Sequence, residues 1–270
     1  MDGGDLASIK RLSLLGCGKM GSALLAGWLA GGVPPARIDV QETAPSQWLL
    51  DQSATGVRLN AAVDEPTTVL VVAVKPQSMR DALGPFSRLG VGRTLVISIA
   101  AGTQIALFEE IFGSETPIIR AMPNTPAAVG QGITALIGNG AAQPNHLALA
   151  EALMGAVGAV VHLHDEEEMH AVTALSGSGP AYLFHMIEAM AAAGEAAGLS
   201  AGLSMQLARA TIAGAGSLAQ QSPEKAETLR VNVTSPGGTT AAGLDVLMPE
   251  LPDLMRRTVA AAADRSRALG

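Results

Sequence analysis

Three glycines near the start of the chain have the spacing Gly-x-Gly-x-x-Gly. They lie in the segment Gly16-Cys17-Gly18-Lys19-Met20-Gly21, after a predicted strand and at the beginning of a predicted helix. Gly16 permits a tight turn, Gly18 lets a phosphate approach the backbone, and Gly21 allows close helix packing. Free N–H groups at the helix start favour a negatively charged ligand. The segment is predicted to bind the pyrophosphate of NADH or NADPH, with Cys17 acting through its backbone; a glycine-rich turn without a ligand is the alternative.

An acidic residue follows the second predicted strand. Glu42 lies 21 residues after Gly21, where dinucleotide-binding folds commonly place a carboxylate that hydrogen-bonds the adenosine ribose. A carboxylate there would repel a 2′-phosphate, and the next basic residue downstream is Arg58. The local chemistry therefore favours NADH over NADPH, and an ordinary solvated acid is the alternative interpretation.

Further strand ends also carry candidate cofactor contacts, because ligands of open α/β sheets bind outside the carboxyl ends of the strands. One apolar strand ends at Ala73-Val74-Lys75-Pro76, where Lys75 could contact ribose or phosphate and Pro76 would fix the turn. A solvated lysine is the competing interpretation. Ala100 follows the next strand, and Pro123-Asn124 follows another, placing an amide where a nicotinamide would lie.

Two segments rich in serine and glycine precede predicted helices in the second half of the chain. They contain Ser176-Gly177-Ser178-Gly179-Pro180 and Ser235-Pro236-Gly237-Gly238-Thr239-Thr240. Backbone N–H groups and hydroxyls at a helix start can hold a small carboxylate without arginine, and the helix dipole favours the same charge. Each segment taken alone could also be a tight turn between helices.

The sequence does not assemble a hydrolase or metal site. His162 and His164 flank a strand end without a suitably spaced third ligand. The run Asp165-Glu166-Glu167-Glu168 is interpreted as the acidic first turn of a helix rather than as a metal cluster. Hydride transfer from a nicotinamide needs no protein nucleophile, which agrees with this scarcity.

The elements that must position these residues change character along the chain. Short β-branched runs alternate with helix-period segments at first, which predicts βαβ units and a mostly parallel sheet. The predicted strands cover residues 11–15, 38–41, 69–74, 94–97, 117–121, 132–137 and 160–163. Long Ala-, Met- and Leu-rich stretches follow, with helices over residues 180–197 and 204–220. The α/β prediction is a dinucleotide-binding domain over residues 1–164 and an all-helical domain over residues 165–270.

Composition limits the possible partners and compartment. The chain has 270 residues, a formal net charge of −7 and one cysteine, which argues against nucleic-acid binding and fits a reducing compartment. No apolar run is long enough for a bilayer and no secretory signal is evident, so a cytoplasmic protein without membrane attachment is expected. The helix over residues 180–197 is apolar most of the way round, which predicts an extensive subunit interface.

The motifs together resemble the pyrroline-5-carboxylate reductase family over nearly the whole chain. They are Gly16-Cys17-Gly18-Lys19-Met20-Gly21, Ala73-Val74-Lys75-Pro76, Arg120-Ala121-Met122-Pro123-Asn124-Thr125-Pro126, Ala174-Leu175-Ser176-Gly177-Ser178-Gly179-Pro180-Ala181-Tyr182 and Ser235-Pro236-Gly237-Gly238-Thr239-Thr240. The resemblance implies hydride delivery from NADPH or NADH to the C=N carbon of 1-pyrroline-5-carboxylate, the last step of L-proline synthesis. It also implies a Rossmann domain and a helical domain that interleaves with its partner in a homodimer, often assembled further into a decamer.

The resemblance also implies residue roles. Thr240 corresponds to the position that hydrogen-bonds the ring nitrogen, and Ser235, Gly238 and Thr239 to positions that hold the carboxylate. Ser176, Gly177, Ser178 and Gly237 are assigned to the substrate with them. Glu42 departs from the family pattern, because many relatives prefer NADPH and place hydroxyl, amide or basic side chains after the second strand.

Two other functions stay open from the sequence. A β-hydroxyacid dehydrogenase would pair similar domains, but such enzymes resemble one another in a lysine about one helical turn after the glycine segment. Leu183 occupies that place here, and no lysine lies between Lys75 and Lys225. A non-catalytic NAD-binding protein would bind cofactor without oxidising it in the presence of the imine.

Overall fold

The computed structural model describes residue 6 and residues 9–62, 67–89 and 94–269. The chain divides into two compact units: residues 1–177 with 263–270, and residues 178–262. The first is called the sheet unit and the second the helical unit.

The sheet unit contains one eight-stranded sheet in the order β3-β2-β1-β4-β5-β6-β7-β8. Its pairs are parallel except β6 with β7, which is antiparallel. The strands are β1 (Leu12–Leu15), β2 (Ile38–Gln41), β3 (Arg58–Leu59), β4 (Val69–Val72), β5 (Leu95–Ser98), β6 (Ile118–Met122), β7 (Gly132–Gly138) and β8 (Gly158–His162). The order reverses between β1 and β4, which is the switch point where dinucleotides bind in doubly wound folds.

Helices cover both faces of this sheet, as its parallel strands require. They are α1 (Lys19–Ala30), α2 (Gln47–Ala54), α3 (Met79–Leu83), α4 (Ile105–Phe112), α5 (Pro144–Gly155) and α6 (Glu168–Val172). The core forms two clusters, one around Leu14, Trp28 and Val71 and one around Leu70, Val96 and Phe108. Alternate residues of β4 enter different clusters because successive side chains of a strand point to opposite faces.

The predicted mostly parallel sheet with helical crossovers is confirmed. Each of the seven predicted strands occurs, with ends that differ by up to two residues, and 38–41 agrees at both ends. The prediction omitted β3, because a two-residue edge strand has no alternation to detect. Predicted strand 69–74 ends at Val72, so Ala73 and Val74 belong to the loop that follows.

The helical unit is built from α7 (Gly179–Ala196), α8 (Ala201–Gln221), α9 (Ala226–Asn232) and most of α10 (Thr239–Arg267). Ser200 caps α8 by accepting a hydrogen bond from the N–H of Leu203 at 3.4 Å. Among residues 178–262, the buried side chains are Ala191, Ser204 and Ala208. Large apolar side chains are exposed instead, including Phe184 at 61% and Val246 at 72%.

None of the helices in the described ranges combines the length and hydrophobicity needed to cross a bilayer.

Candidate functional site

The glycine-rich turn lies between β1 and α1. Each of its three glycines has a different environment, which explains why glycine occurs there. Gly16 has φ +90°, and a β-carbon there would lie 2.8 Å from the carbonyl oxygen of Ala73. A β-carbon at Gly21 would lie 2.5 Å from the carbonyl oxygen of Gly16. A β-carbon at Gly18 would meet nothing within 4 Å, so the backbone there faces open space. The turn is thus closed at two glycines and accessible at the third, as a site for a phosphate requires.

Glu42 lies directly beside this turn. Its Oε2 accepts a hydrogen bond from the backbone N–H of Cys17 at 2.7 Å, and its Oε1 accepts one from the N–H of Ala44 at 2.9 Å. Partial burial acts to raise the pKa of Glu42, but hydrogen bonds from the N–H groups of Ala44, Cys17 and Thr43 outweigh it and hold the pKa below its ordinary value. Glu42 is therefore ionised at neutral pH.

Cys17 is buried, and its thiol is expected to react slowly in this position. Burial raises the pKa of its thiol, the charge of Glu42 adds to the increase, and the hydrogen bond with Ser22 opposes it. Its N–H donates to Glu42, and its carbonyl accepts from the Ser22 hydroxyl at 3.0 Å. Both backbone groups of Cys17 thus have partners within the protein, Glu42 and Ser22.

A cleft of about 670 Å³ opens at the carboxyl ends of β1, β2 and β4. It is lined by six of the predicted cofactor residues, namely Gly16, Gly18, Glu42, Ala73, Val74 and Lys75. Lys75 is exposed, and Pro76 after it begins a 3₁₀ turn. The size of the cleft, the open backbone at Gly18 and the carboxylate of Glu42 after β2 all fit a bound dinucleotide.

The cleft also contains a residue that the sequence did not single out. Asn60 Oδ1 accepts from the N–H of Glu42 at 2.9 Å, and its Nδ2 donates to the carbonyl of Glu42 at 3.0 Å. Asn60 has φ 51°, a left-handed conformation that asparagine tolerates better than most residues. The available signal was an Asn directly after Val57-Arg58-Leu59, but its pairing with Glu42 depends on β3, which the sequence did not reveal.

The remaining predicted cofactor residues lie at other points of the sheet unit. Ala100 is buried two residues after β5, and its N–H donates to the hydroxyl of Ser98 at 3.3 Å. Pro123 is buried after β6, and the half-buried Asn124 hydrogen-bonds to backbone. Lys19 is exposed and Met20 half-buried in the first turn of α1. None of these five residues lines the cleft described above.

The first Ser/Gly segment begins with a π-helical turn, Thr173–Gly177. The hydroxyl of Ser176 donates to the carbonyl of Val172 at 3.0 Å, and its own carbonyl accepts from Asn124 Nδ2 at 3.2 Å. A β-carbon at Gly177 would lie 2.7 Å from the terminal methyl carbon of Met122. Ser178 precedes α7, which has Pro180 in its first turn as predicted.

The second Ser/Gly segment lies in the helical unit directly before α10. Gly237 has φ +68°, and the N–H of Gly238 donates to the carbonyl of Ser235 at 3.0 Å. Thr239 and Thr240 are the first two residues of α10 and are exposed. The first N–H groups of a helix have no partner within it, so this end can receive a carboxylate.

The acidic run needs a correction, because its members do different things. Glu168 begins α6, and hydrogen bonds from the N–H groups of His164 and Asp165 lower its pKa. Glu166 instead contacts distant residues of the sheet: its Oε1 accepts from Arg120 Nη1 at 2.7 Å and from the N–H of Ile105 at 2.9 Å. Arg120 is 3% exposed and needs a counter-charge, which a sequence pattern does not display. Within the described residues, no group of three or more His, Cys, Asp or Glu side chains could hold a metal ion.

Comparison with known proteins supplies the family. Residues 166–269 match the family described as pyrroline-5-carboxylate reductase dimerisation, and residues 11–102 match one described as NADP oxidoreductase, coenzyme F420-dependent. The chain is 38% identical over 245 residues to a pyrroline-5-carboxylate reductase of Haemophilus influenzae, covering 88% of this chain and 89% of the relative. It is 41% identical over 241 residues to that of Synechocystis, again covering 88% and 89%.

Solved structures of pyrroline-5-carboxylate reductases match nearly the whole chain. A pyrroline-5-carboxylate reductase from Coxiella burnetii is 33% identical with a TM-score of 0.90, and the match covers 97% of this chain and 99% of that one. A Plasmodium falciparum pyrroline carboxylate reductase with NADP bound is 30% identical with a TM-score of 0.82, covering 97% and 98%. By its sequence along most of its length and by its fold, this chain belongs to the pyrroline-5-carboxylate reductase family.

Proposed function

We propose that this chain reduces the C=N bond of 1-pyrroline-5-carboxylate to give L-proline, the last step of proline biosynthesis, with NADPH or NADH. The observation that carries the proposal is the open glycine turn beside an ionised Glu42 in a protein of this family. The bound cofactor supplies a hydride to the ring carbon. The chain's own residues have to bind, orient and shield the two reactants.

Cofactor binding is assigned to the cleft and its surroundings. Gly16 to Gly21 provide the turn, with Gly18 as the point of closest backbone approach, and Lys75 contributes a positive charge at the cleft. Ala73 and Val74 line the cleft after β4, Pro76 begins the turn that follows, and Ala100 and Pro123 follow β5 and β6. These roles remain predictions for each residue.

Substrate binding is assigned to the two Ser/Gly segments. Ser235, Gly237, Gly238 and Thr239 hold the carboxylate at the start of α10, and residues 176–178 contribute further donors. Thr240 orients the proton on the ring nitrogen, since a threonine hydroxyl is a poor acid and a protonated imine accepts hydride more readily. Changing Thr240→Val keeps the shape and removes the hydroxyl. We expect a large fall in kcat with it, and unchanged kcat and KM would remove Thr240 from the mechanism.

Glu42 favours NADH within this assignment. Its carboxylate is ionised and fixed by the Cys17 and Ala44 N–H groups, so it would repel a 2′-phosphate at the adjacent ribose. Changing Glu42→Gln should shift the ratio of kcat/KM values towards NADPH by roughly tenfold. An unchanged ratio would mean that Glu42 does not contact the ribose.

The assembly proposed is a homodimer formed through the helical unit, with a decamer as its further association, in the cytoplasm. Support comes from the match to the dimerisation family and from the exposed apolar side chains of α7 and α8. Native mass spectrometry of the purified chain at micromolar concentration measures the subunit number. A monomer would overturn the proposal, and a stable dimer without larger species would remove the decamer.

The reaction itself is tested with purified chain, the cyclic imine and each reduced cofactor. We expect imine-dependent oxidation of NADPH and NADH with L-proline as the product, identified by mass spectrometry. Hydroxyacids with oxidised cofactor provide the comparison with a β-hydroxyacid dehydrogenase. Turnover of hydroxyacids alone would support that alternative, and cofactor binding without any turnover would support a non-catalytic protein.

A further inference from the structure

The carboxamide of Asn124 joins two backbone segments of the sheet unit. Its Oδ1 accepts a hydrogen bond from the N–H of Ile133 at 2.9 Å, and its Nδ2 donates to the carbonyl of Ser176 at 3.2 Å. The Ile133 N–H can only donate, so it fixes which end of the amide is the oxygen and leaves the NH₂ end facing Ser176. Both ends of the side chain are thus engaged by the protein.

The carbonyl of Ser176 needs such a donor because of the residue that follows. In a continuous α-helix this carbonyl would accept from the N–H four residues later, but that residue is Pro180, which has no N–H. Ala181, one residue further, donates instead to the carbonyl of Ser178 at 3.0 Å. A proline ring also displaces the carbonyl four residues before it. The chain forms the π-turn Thr173–Gly177 at this place, and Asn124 supplies a donor where Pro180 has none.

We propose that Asn124 is a positioning residue that fixes the Ser176-Gly177 segment for substrate binding, and that its side chain does not bind the cofactor. The inference rests on the proposed function for the meaning of the Ser/Gly segment. It replaces the cofactor contact that the sequence predicts for this side chain. Two further contacts support it: the Ser176 hydroxyl is tied to Val172, and Met122 closes the space beside Gly177. Loss of the Asn124 donor would leave the segment free to change conformation.

The chain offers a matched control at the opposite end of the β6–β7 pair. Asn139 Oδ1 accepts from the N–H of Ile118 at 3.1 Å, and its Nδ2 donates to the carbonyl of Thr116 and to Glu109 Oε1, both at 3.0 Å. Asn139 is half-buried like Asn124 and likewise bridges backbone segments with its amide. Asn139 follows β7, which runs antiparallel to β6, so it lies beside the amino end of β6, whereas Asn124 follows the carboxyl end of β6 at the opposite edge of the sheet.

The experiment compares Asn124→Asp with Asn139→Asp in the full chain. Each change keeps an acceptor for the strand N–H and replaces the donor by an oxygen that faces a carbonyl; in N139D this oxygen also faces the Glu109 carboxylate, which adds to the loss of stability expected of the control. Measured quantities are the melting temperature, the Kd for NADPH without substrate, kcat and KM for the imine, and amide hydrogen exchange over residues 173–179. For N124D we expect a tenfold or greater loss in kcat/KM for the imine, with the NADPH Kd changed by less than about threefold. N139D should lower the melting temperature and leave kcat/KM within about threefold.

Hydrogen exchange separates this inference from the proposed function. Exchange over residues 173–179 should speed up about tenfold or more in N124D and stay unchanged in N139D. If the wild-type chain fails to reduce the imine, the proposed function fails, while the exchange data still decide whether Asn124 fixes the segment. If N124D does not fold, Asn124→Ala provides the same comparison without a new charge.

Three results would overturn the inference. Unchanged exchange in the segment would show that Asn124 does not hold it. Equal losses of kcat/KM in N124D and N139D would show that the loss of activity results from lower protein stability and not from the Ser176-Gly177 segment. A tenfold higher Kd of N124D for NADPH, with an unchanged KM for the imine, would show that the Asn124 side chain binds the cofactor.

Discussion

Changing Gly18→Ala tests whether a ligand approaches the backbone of the glycine turn. A β-carbon at Gly18 would meet no protein atom within 4 Å, and the residue has φ −69°, which alanine adopts without strain. Reduced freedom of the unfolded chain would stabilise the variant by about 0.4–1 kcal/mol. Gly18 is also the N-cap of α1, where alanine is less favourable by about 0.5–1 kcal/mol. The two effects nearly cancel, so the melting temperature should move by no more than about 2 °C.

Cofactor binding should respond very differently from stability. A methyl group between the backbone and a pyrophosphate would lengthen charge-assisted hydrogen bonds worth about 1.5–3 kcal/mol each. Loss of one such bond weakens binding by roughly tenfold to a hundredfold. Fluorescence titration of the reduced cofactor measures the Kd, and a thermal scan of the same sample confirms that the variant is folded.

Gly16→Ala is the contrasting variant. It combines φ +90° with a β-carbon 2.8 Å from the Ala73 carbonyl oxygen, so we expect the free energy of unfolding to fall by about 2–4 kcal/mol. A folded Gly18→Ala protein with a Kd within twofold of wild type would refute the reasoning, because no ligand would then pass close to that backbone. Similar stability losses in both variants would contradict the geometry of the turn.

Three more outcomes follow from the described contacts. Cys17, the one cysteine of the chain, should be alkylated at neutral pH at least tenfold more slowly than a free thiol, because it is buried and its pKa is raised. Trp28→Phe should lower the free energy of unfolding by about 1–3 kcal/mol in a denaturant titration, because the carbonyl of Leu153 loses the indole N–H donor at 2.9 Å. The folded pKa of Glu42 is depressed, so its contribution to stability is present above its unfolded pKa and is lost as the pH falls through the folded pKa. The difference in melting temperature between wild type and Glu42→Gln should therefore be greatest at neutral pH and shrink below about pH 4.

Local signals were sufficient for much of the sheet unit. Buried parallel strands are short apolar runs bounded by turn residues. The spacing of the three glycines predicts the environment of each position in the turn. That is why β2 was predicted at both ends and why Gly16, Gly18 and Gly21 have the separate environments expected of them. The predicted place of Glu42, next to the turn, follows from the parallel pairing of β1 with β2.

Contacts between distant segments explain what the sequence did not provide. The Glu166–Arg120 ion pair joins residues 46 positions apart, so the local acidic run indicated only the first turn of a helix for Glu166. The position of Asn60 depends on the two-residue strand β3. Its side chain contributes to the cleft through two hydrogen bonds with the backbone of Glu42. The π-turn before α7 was missed because a proline in a first helical turn predicts a clean helix start and says nothing about the carbonyl it leaves behind.

The scarcity of buried side chains in the helical unit affects how the protein unfolds. Ala191, Ser204 and Ala208 are its buried residues, and they are small. We expect this unit to be stabilised by association with a second copy of the chain. Dilution should therefore lower the melting temperature of the protein. For a newly made chain, meeting a sister copy then becomes part of folding rather than a step after it.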